Sequence, residues 1–146
     1  HHMGTVVQSQ EDTERLIDNT SDAVKLLIDT GHMMFAGGDF VKVAKDYSSR
    51  LHHVHCKDIR KDVLENSLKN DLSFIDAFFA GAFTVPGDGC IDYEIFLKVL
   101  KSFNYNGWLV VEAEQDPRKA NPFEYGQIGF NHLKKIALNC GFDITR

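Results

Sequence analysis

The stretch Leu51-His-His-Val-His-Cys-Lys-Asp-Ile-Arg60 places three of the chain's seven histidines within four positions and follows them with a lysine and an aspartate. In an extended strand, alternate residues face opposite sides. Leu51, His53, His55 and Lys57 then share one face, and His52, Val54, Cys56 and Asp58 share the other. Burying imidazoles and an ammonium costs free energy unless they are paired, so a face built from them points to chemistry. Two other strand-like stretches end in acids, Lys25-Leu-Leu-Ile-Asp29 and Trp108-Leu-Val-Val-Glu112-Ala-Glu114. Val24, Leu26 and Ile28 suit a helix-packed face and leave Leu27 and Asp29 opposite them. Leu109 and Val111 likewise leave Val110, Glu112 and Glu114. One carboxylate, one imidazole and one or two further carboxylates would thus point into one space. Carboxylate oxygen and imidazole nitrogen together suit a divalent Mn, Co or Zn ion, which polarises a carbonyl and stabilises an enediolate. No cysteine stands at a good ligand position. Each residue alone also has an ordinary structural role: an aspartate after a strand caps a helix, a strand histidine is solvated, a strand-end glutamate is paired.

The elements that must position these groups follow from periodicity and punctuation. Ser9-Gln-Glu-Asp12 has the spacing of a capping box and opens a short helix over 11–19. A strand is expected from Ala23 to Asp29, then a glycine-bearing loop from Thr30 to Gly38. Asp39 caps a helix with an apolar stripe of Phe40, Val43, Ala44 and Tyr47, and a second strand runs from Leu51 to Lys57. Residues 58–82 read as two helices split near Asn70-Asp71. Phe83 to Gly89 reads as a loop around the turn cluster Pro86-Gly-Asp-Gly89. A helix starts at Asp92, a third strand covers Trp108 to Glu114, and a last helix runs from Phe123 to Asn139 with Gly141 as its stop. Strands alternating with helices imply parallel βαβ units, and ligands of such folds bind at the carboxyl ends of the strands. Three strands form a small layer, not a closed barrel.

Composition narrows the partners. With 146 residues the chain has enough length for one domain with a core. A net charge of -5 and the lack of a Lys/Arg-rich tract argue against a nucleic-acid surface, leaving a small molecule as the expected partner. No apolar run reaches the ~20 residues of a membrane span. Cys56, Cys90 and Cys140 are far apart and odd in number, which suits reduced thiols and a cytoplasmic setting. His1-His2-Met3 reads either as the scar of an expression tag or as the interior of a longer protein.

Several segments together resemble a known family. His1-His-Met-Gly-Thr5, Ile28-Asp-Thr-Gly-His32, His53-Val-His-Cys-Lys-Asp58, Phe83-Thr-Val-Pro-Gly-Asp-Gly-Cys90 and Gly107-Trp-Leu-Val-Val-Glu-Ala-Glu-Gln-Asp-Pro117 are similar to the inosose dehydratases of myo-inositol catabolism, which are xylose-isomerase-like TIM barrels. The resemblance implies an α/β fold: residues 1–146 as the C-terminal half of a single (β/α)8 barrel, holding its last three parallel strands and their helices. It implies Asp29, His55 and Glu112 as metal ligands, with a further family ligand on an upstream strand outside this chain. It implies substrate contacts from His32, with His53 and Lys57 beside it, and makes His1 and His2 native residues on the site side, His2 among the substrate contacts. Glu112 and Glu114 are the expected proton-transfer groups.

The implied reaction is metal-dependent dehydration of 2-keto-myo-inositol, a keto-sugar-like polyol, to a trihydroxycyclohexane-1,2-dione, with Mn or Co as the metal. Glutathione is also associated with the family, although no residue here marks a place for it. Three rivals stand beside this reading. One is a sugar epimerase or isomerase of the same superfamily. Another is a non-catalytic barrel fragment that needs its N-terminal half or self-association to cover an exposed sheet edge. The third, a basic-groove nuclease, is disfavoured by the charge.

Overall fold

A computed structural model describes residues 1–144. Three parallel strands form the central sheet, β1 (Leu26–Asp29), β2 (Leu51–Cys56) and β5 (Trp108–Val111), in the order β1-β2-β5. A second, two-stranded antiparallel sheet pairs β3 (Asp58–Ile59) with β4 (Phe83–Thr84). The helices are α1 (Gln10–Asp18), α2 (Thr30–Phe35), α3 (Phe40–Asp46), α4 (Lys61–Lys69), α5 (Phe74–Ala80), α6 (Tyr93–Ser102) and α7 (Pro122–Asn139). The expected parallel βαβ alternation is therefore present.

One face of the central sheet carries the main core. Leu26, Ile28, Leu51, Val54 and Cys56 pack there with Val43 and Ala44 of α3, Tyr93, Phe96, Leu97 and Leu100 of α6, and Leu133 and Ala137 of α7. A smaller core of Phe35, Ile59, Leu64, Ala77, Ala82 and Phe83 ties α2, α4 and α5 to the two-stranded sheet. The opposite face of the central sheet holds the polar side chains of the candidate site. Among the described residues β5 pairs on one edge only, and its first residue, Trp108, is 71% exposed.

Four local expectations are corrected. The first strand begins at Leu26, not Ala23, because the Val24 N–H closes a turn onto the Ser21 carbonyl. The expected loop from Thr30 is instead α2, started by the Asp29 carboxylate, which accepts the His32 backbone N–H. Asp58–Ile59 and Phe83–Thr84 are strands too short for any periodicity to reveal. The third strand ends at Val111, so Glu112 to Glu114 lie beyond it in irregular backbone.

Strand parity also breaks once. Leu26 pairs with Leu51 while Leu27 pairs with His53, so His52 is an extra residue in β2. A one-residue irregularity reverses the alternation on its two sides. Leu51 therefore joins Val54 and Cys56 in the core rather than sharing a face with His53 and His55, and His52 is exposed.

Candidate active site and metal centre

The three strand ends converge. In register, Asp29 lies beside His55 and His55 beside Val110, and Glu112 follows one residue past β5. Ligand atoms of Asp29, His55 and Glu112 lie within 4.8 Å of one another. His55 Nδ1 stands 3.6 Å from Asp29 Oδ2 and 2.7 Å from Glu112 Oε2. The second contact is close but lacks hydrogen-bond geometry, which leaves Glu112 Oε2 buried without a hydrogen-bond partner among the described residues. An orphaned carboxylate oxygen facing an imidazole nitrogen and a second carboxylate fits a divalent cation, whose preferred donors are of these types.

Asp29 serves two neighbours. Its Oδ1 accepts the His32 N–H at 2.8 Å and caps α2; its Oδ2 faces His55 and, at 3.1 Å, Lys57 Nζ. Burial alone would raise the Asp29 carboxyl. His55, Lys57 and His32 outweigh that and hold it well below the usual carboxylate range. The facing Asp29 carboxylate raises His55 above the ordinary imidazole value, with burial opposing and Glu112 assisting.

Lys57 is fully buried and touches every acid of the site. Its Nζ lies 3.3 Å from Glu112 Oε1 and in direct contact with Glu114 Oε2. It also lies 2.9 Å from His32 Nε2, which is itself 3.3 Å from Glu114 Oε2. Burial would lower the Lys57 pKa; Asp29, Glu114 and Glu112 together raise it instead. Glu114 is pushed the other way, down to about 2: burial opposes ionisation, but His32 and Lys57 beside it prevail. The backbone around Lys57 is pinned, since Thr30 Oγ1 donates to the Lys57 carbonyl at 2.7 Å and pairs with the buried Tyr93 hydroxyl at 2.8 Å. Gly31 is required by close approach, because a Cβ there would meet Lys57 Cγ at 2.7 Å.

The remaining sequence-derived residues also gather here. His2 packs on His32 with the rings tilted at 43° and their centroids 3.8 Å apart, and lies 5.7 Å from the Phe74 ring. His2, His32 and Glu114 form a second group whose ligand atoms lie within 4.8 Å of one another. His53 faces the same space one turn of the pleat before His55, 5.3 Å from it ring to ring; burial and the His55 charge lower its pKa. His1, placed on the site side by the family resemblance, accepts the Asp29 backbone N–H on Nε2 at 3.1 Å. Two contributors were not singled out by sequence, Thr30 and Tyr93, which fix Lys57 from behind. Thr30 was legible only as the residue after Asp29, and Tyr93 only as part of a helical stripe.

The "Xylose isomerase-like TIM barrel" family profile matches residues 1–136. The chain belongs to this family, and its parallel strands with their helices are part of such a barrel. It is 48% identical over 145 residues to "Rhizopine catabolism protein MocC" of Rhizobium meliloti, which covers 99% of this chain and 45% of that protein. It is 50% identical over 136 residues to an "Inosose dehydratase" of Clostridium perfringens, covering 92% of this chain and 46% of the relative. The chain thus spans about half the length of the curated relatives it matches. Among solved structures, the probable 3-DHS dehydratase AsbF of Bacillus anthracis superposes with a TM-score of 0.66 at 14% identity, over 91% of this chain and 47% of that one. The IOLI protein with a binding zinc atom superposes with a TM-score of 0.59 at 20% identity, over 95% of this chain and 45% of that one. These two likenesses concern the fold. Among the described residues, no helix is long and apolar enough to cross a membrane.

Proposed function

We propose that this chain supplies the C-terminal half of the active site of a metal-dependent dehydratase acting on 2-keto-myo-inositol. The observation that carries the reading is the convergence of Asp29, His55 and Glu112 at the ends of three parallel strands, with Glu112 Oε2 orphaned between them. The identity to proteins named inosose dehydratase supports the substrate. The zinc atom of IOLI supports a divalent ion, with Mn or Co proposed here.

Asp29, His55 and Glu112 would hold the metal, which supplies Lewis-acid charge beside the substrate oxygens when bound. The remaining chemistry falls to the chain. The ketone acidifies the neighbouring C–H, a base takes that proton, and an acid assists departure of the β-hydroxyl as water, leaving the dione in its enol form. Proton transfer is assigned to Glu112 and Glu114, two of the three carboxylates that face this space. Lys57 is held protonated by three carboxylates and so is a donor to the departing or carbonyl oxygen. His53 and His2 line the same space with hydrogen-bonding edges for a polyol; His32 is fully buried, and its ring nitrogens already meet the Met3 N–H and Lys57 Nζ.

The test is an assay of the longer protein that carries this chain, on 2-keto-myo-inositol and on ketohexoses, with and without glutathione. Water loss from the inosose that stops with chelator and returns with Mn or Co supports the reading. Epimerisation or isomerisation of ketohexoses without dehydration replaces it with the epimerase reading.

A further inference from the structure

The second ligand group is given no metal in the reading above. His2, His32 and Glu114 offer two imidazole nitrogens and a carboxylate oxygen within 4.8 Å of one another, a donor set suited to Zn or Co. A cation already stands among them. Lys57 Nζ is 2.9 Å from His32 Nε2 and in contact with Glu114 Oε2, and these two atoms are 3.3 Å apart. A metal ion bonded to both at the usual distances of roughly 2.0–2.2 Å would lie in van der Waals contact with the ammonium. We propose that the Lys57 ammonium is the resident cation of a second metal-ligand group, His2–His32–Glu114, and thereby limits this site to one metal ion.

The ammonium cannot easily withdraw. Its stem packs against Gly31, with no room for even a methyl group between them. Its carbonyl is tied to Thr30 Oγ1, and the side chain is fully buried. Three carboxylates surround it, so a neutral side chain at this position leaves their charge uncompensated in a buried place. A second divalent ion is the natural replacement. The inference rests on the metal reading for Asp29, His55 and Glu112 but makes a separate claim, about how many ions bind and where.

The test is a titration of the 146-residue chain with Co2+, followed by visible absorption and by metal content after gel filtration. The unaltered chain is expected to retain one ion and Lys57→Met two. The second ion should disappear in the Lys57→Met chain that also carries His32→Ala or Glu114→Gln. Lys57→Met binding no more Co2+ than the unaltered chain overturns the inference, as does an extra ion that survives both added substitutions. An unaltered chain that binds no ion, with one ion in Lys57→Met lost on His32→Ala, keeps this inference and removes the metal reading instead. Circular dichroism monitors the fold, and Lys57→Gln, which retains a donor toward Glu114, is the second variant if Lys57→Met does not fold.

Discussion

The Asp29 carboxylate caps the helix that carries His32: Oδ1 accepts the His32 N–H at 2.8 Å, which leaves Oδ2 for His55 and Lys57. The structural and functional roles of this aspartate therefore separate by oxygen atom. Asparagine caps helices as well as aspartate does, so Asp29→Asn keeps α2 while removing the charge. Mn2+ affinity should fall at least about tenfold, since even removing the outer partners of metal ligands costs that much. Asp29→Ala also loses the cap, a further cost of about 1 kcal/mol. Calorimetric titration and thermal unfolding of the two variants check this; equal Mn2+ affinity in Asp29→Asn and the unaltered chain would contradict it.

The metal-free chain should lose stability in acid through this same cluster. Asp29 and Glu114 have folded-state pKa values below their ordinary ones, Glu114 at about 2. A carboxyl of this kind contributes stability that is fully present above its unfolded value, about 4, and is lost as pH falls toward the folded value. Lys57 has the opposite sign. Its raised pKa makes its contribution full below about pH 10 and lost only as pH climbs through the folded value. Urea midpoints measured with chelator present should drop between about pH 4.5 and 2. A midpoint that stays constant through the acid window would show that these carboxylates are not held as described.

The contact of Tyr93 with Thr30 predicts a modest, separable cost. Tyr93→Phe removes one buried hydroxyl pairing but leaves Thr30 Oγ1 donating to the Lys57 carbonyl. The expected loss is about 1 kcal/mol, a fall in Tm of roughly 2–4 °C for a chain of this size. Thr30→Val removes the donor itself and should cost more than Tyr93→Phe. The reverse order in denaturant titrations would show that Thr30 does not anchor the Lys57 segment.

The chain alone should not turn over inosose. Its relatives are about twice its length, β5 has an open edge, and the candidate site faces the uncovered side of the sheet. Coupled assays on the purified 146-residue chain with Mn or Co are expected to give no dehydration above the metal-only control; turnover by a monomer would refute this.

Much of the candidate site was legible because the strand period is simple. Alternation after His52 placed His53 and His55 together, and acids at the ends of the other strands supplied Asp29 and Glu112. Parity failed at Leu51, where one extra residue reversed the faces, and nothing in the side-chain pattern marks that irregularity. The loop expected after Asp29 was a helix because its start depends on a side-chain cap, and its glycines and short length hid the helical period. Lys57 was visible as a member of the polar face. Its burial among three carboxylates was not, because it depends on where Glu112 and Glu114 go after β5 ends. His1 and His2 were ambiguous by composition; the family resemblance put them on the site side, and contacts to Asp29 and His32 bring them into the site.

The central claim is that Asp29, His55 and Glu112 together bind a divalent ion. Electron paramagnetic resonance of Mn2+ added to the 146-residue chain tests it most directly, with Glu112→Gln and His55→Ala as comparisons. The account predicts loss of the free Mn2+ signal on binding to the unaltered chain and persistence of that signal with either variant. Equal binding by the unaltered chain and both variants, or none by the unaltered chain, would contradict it.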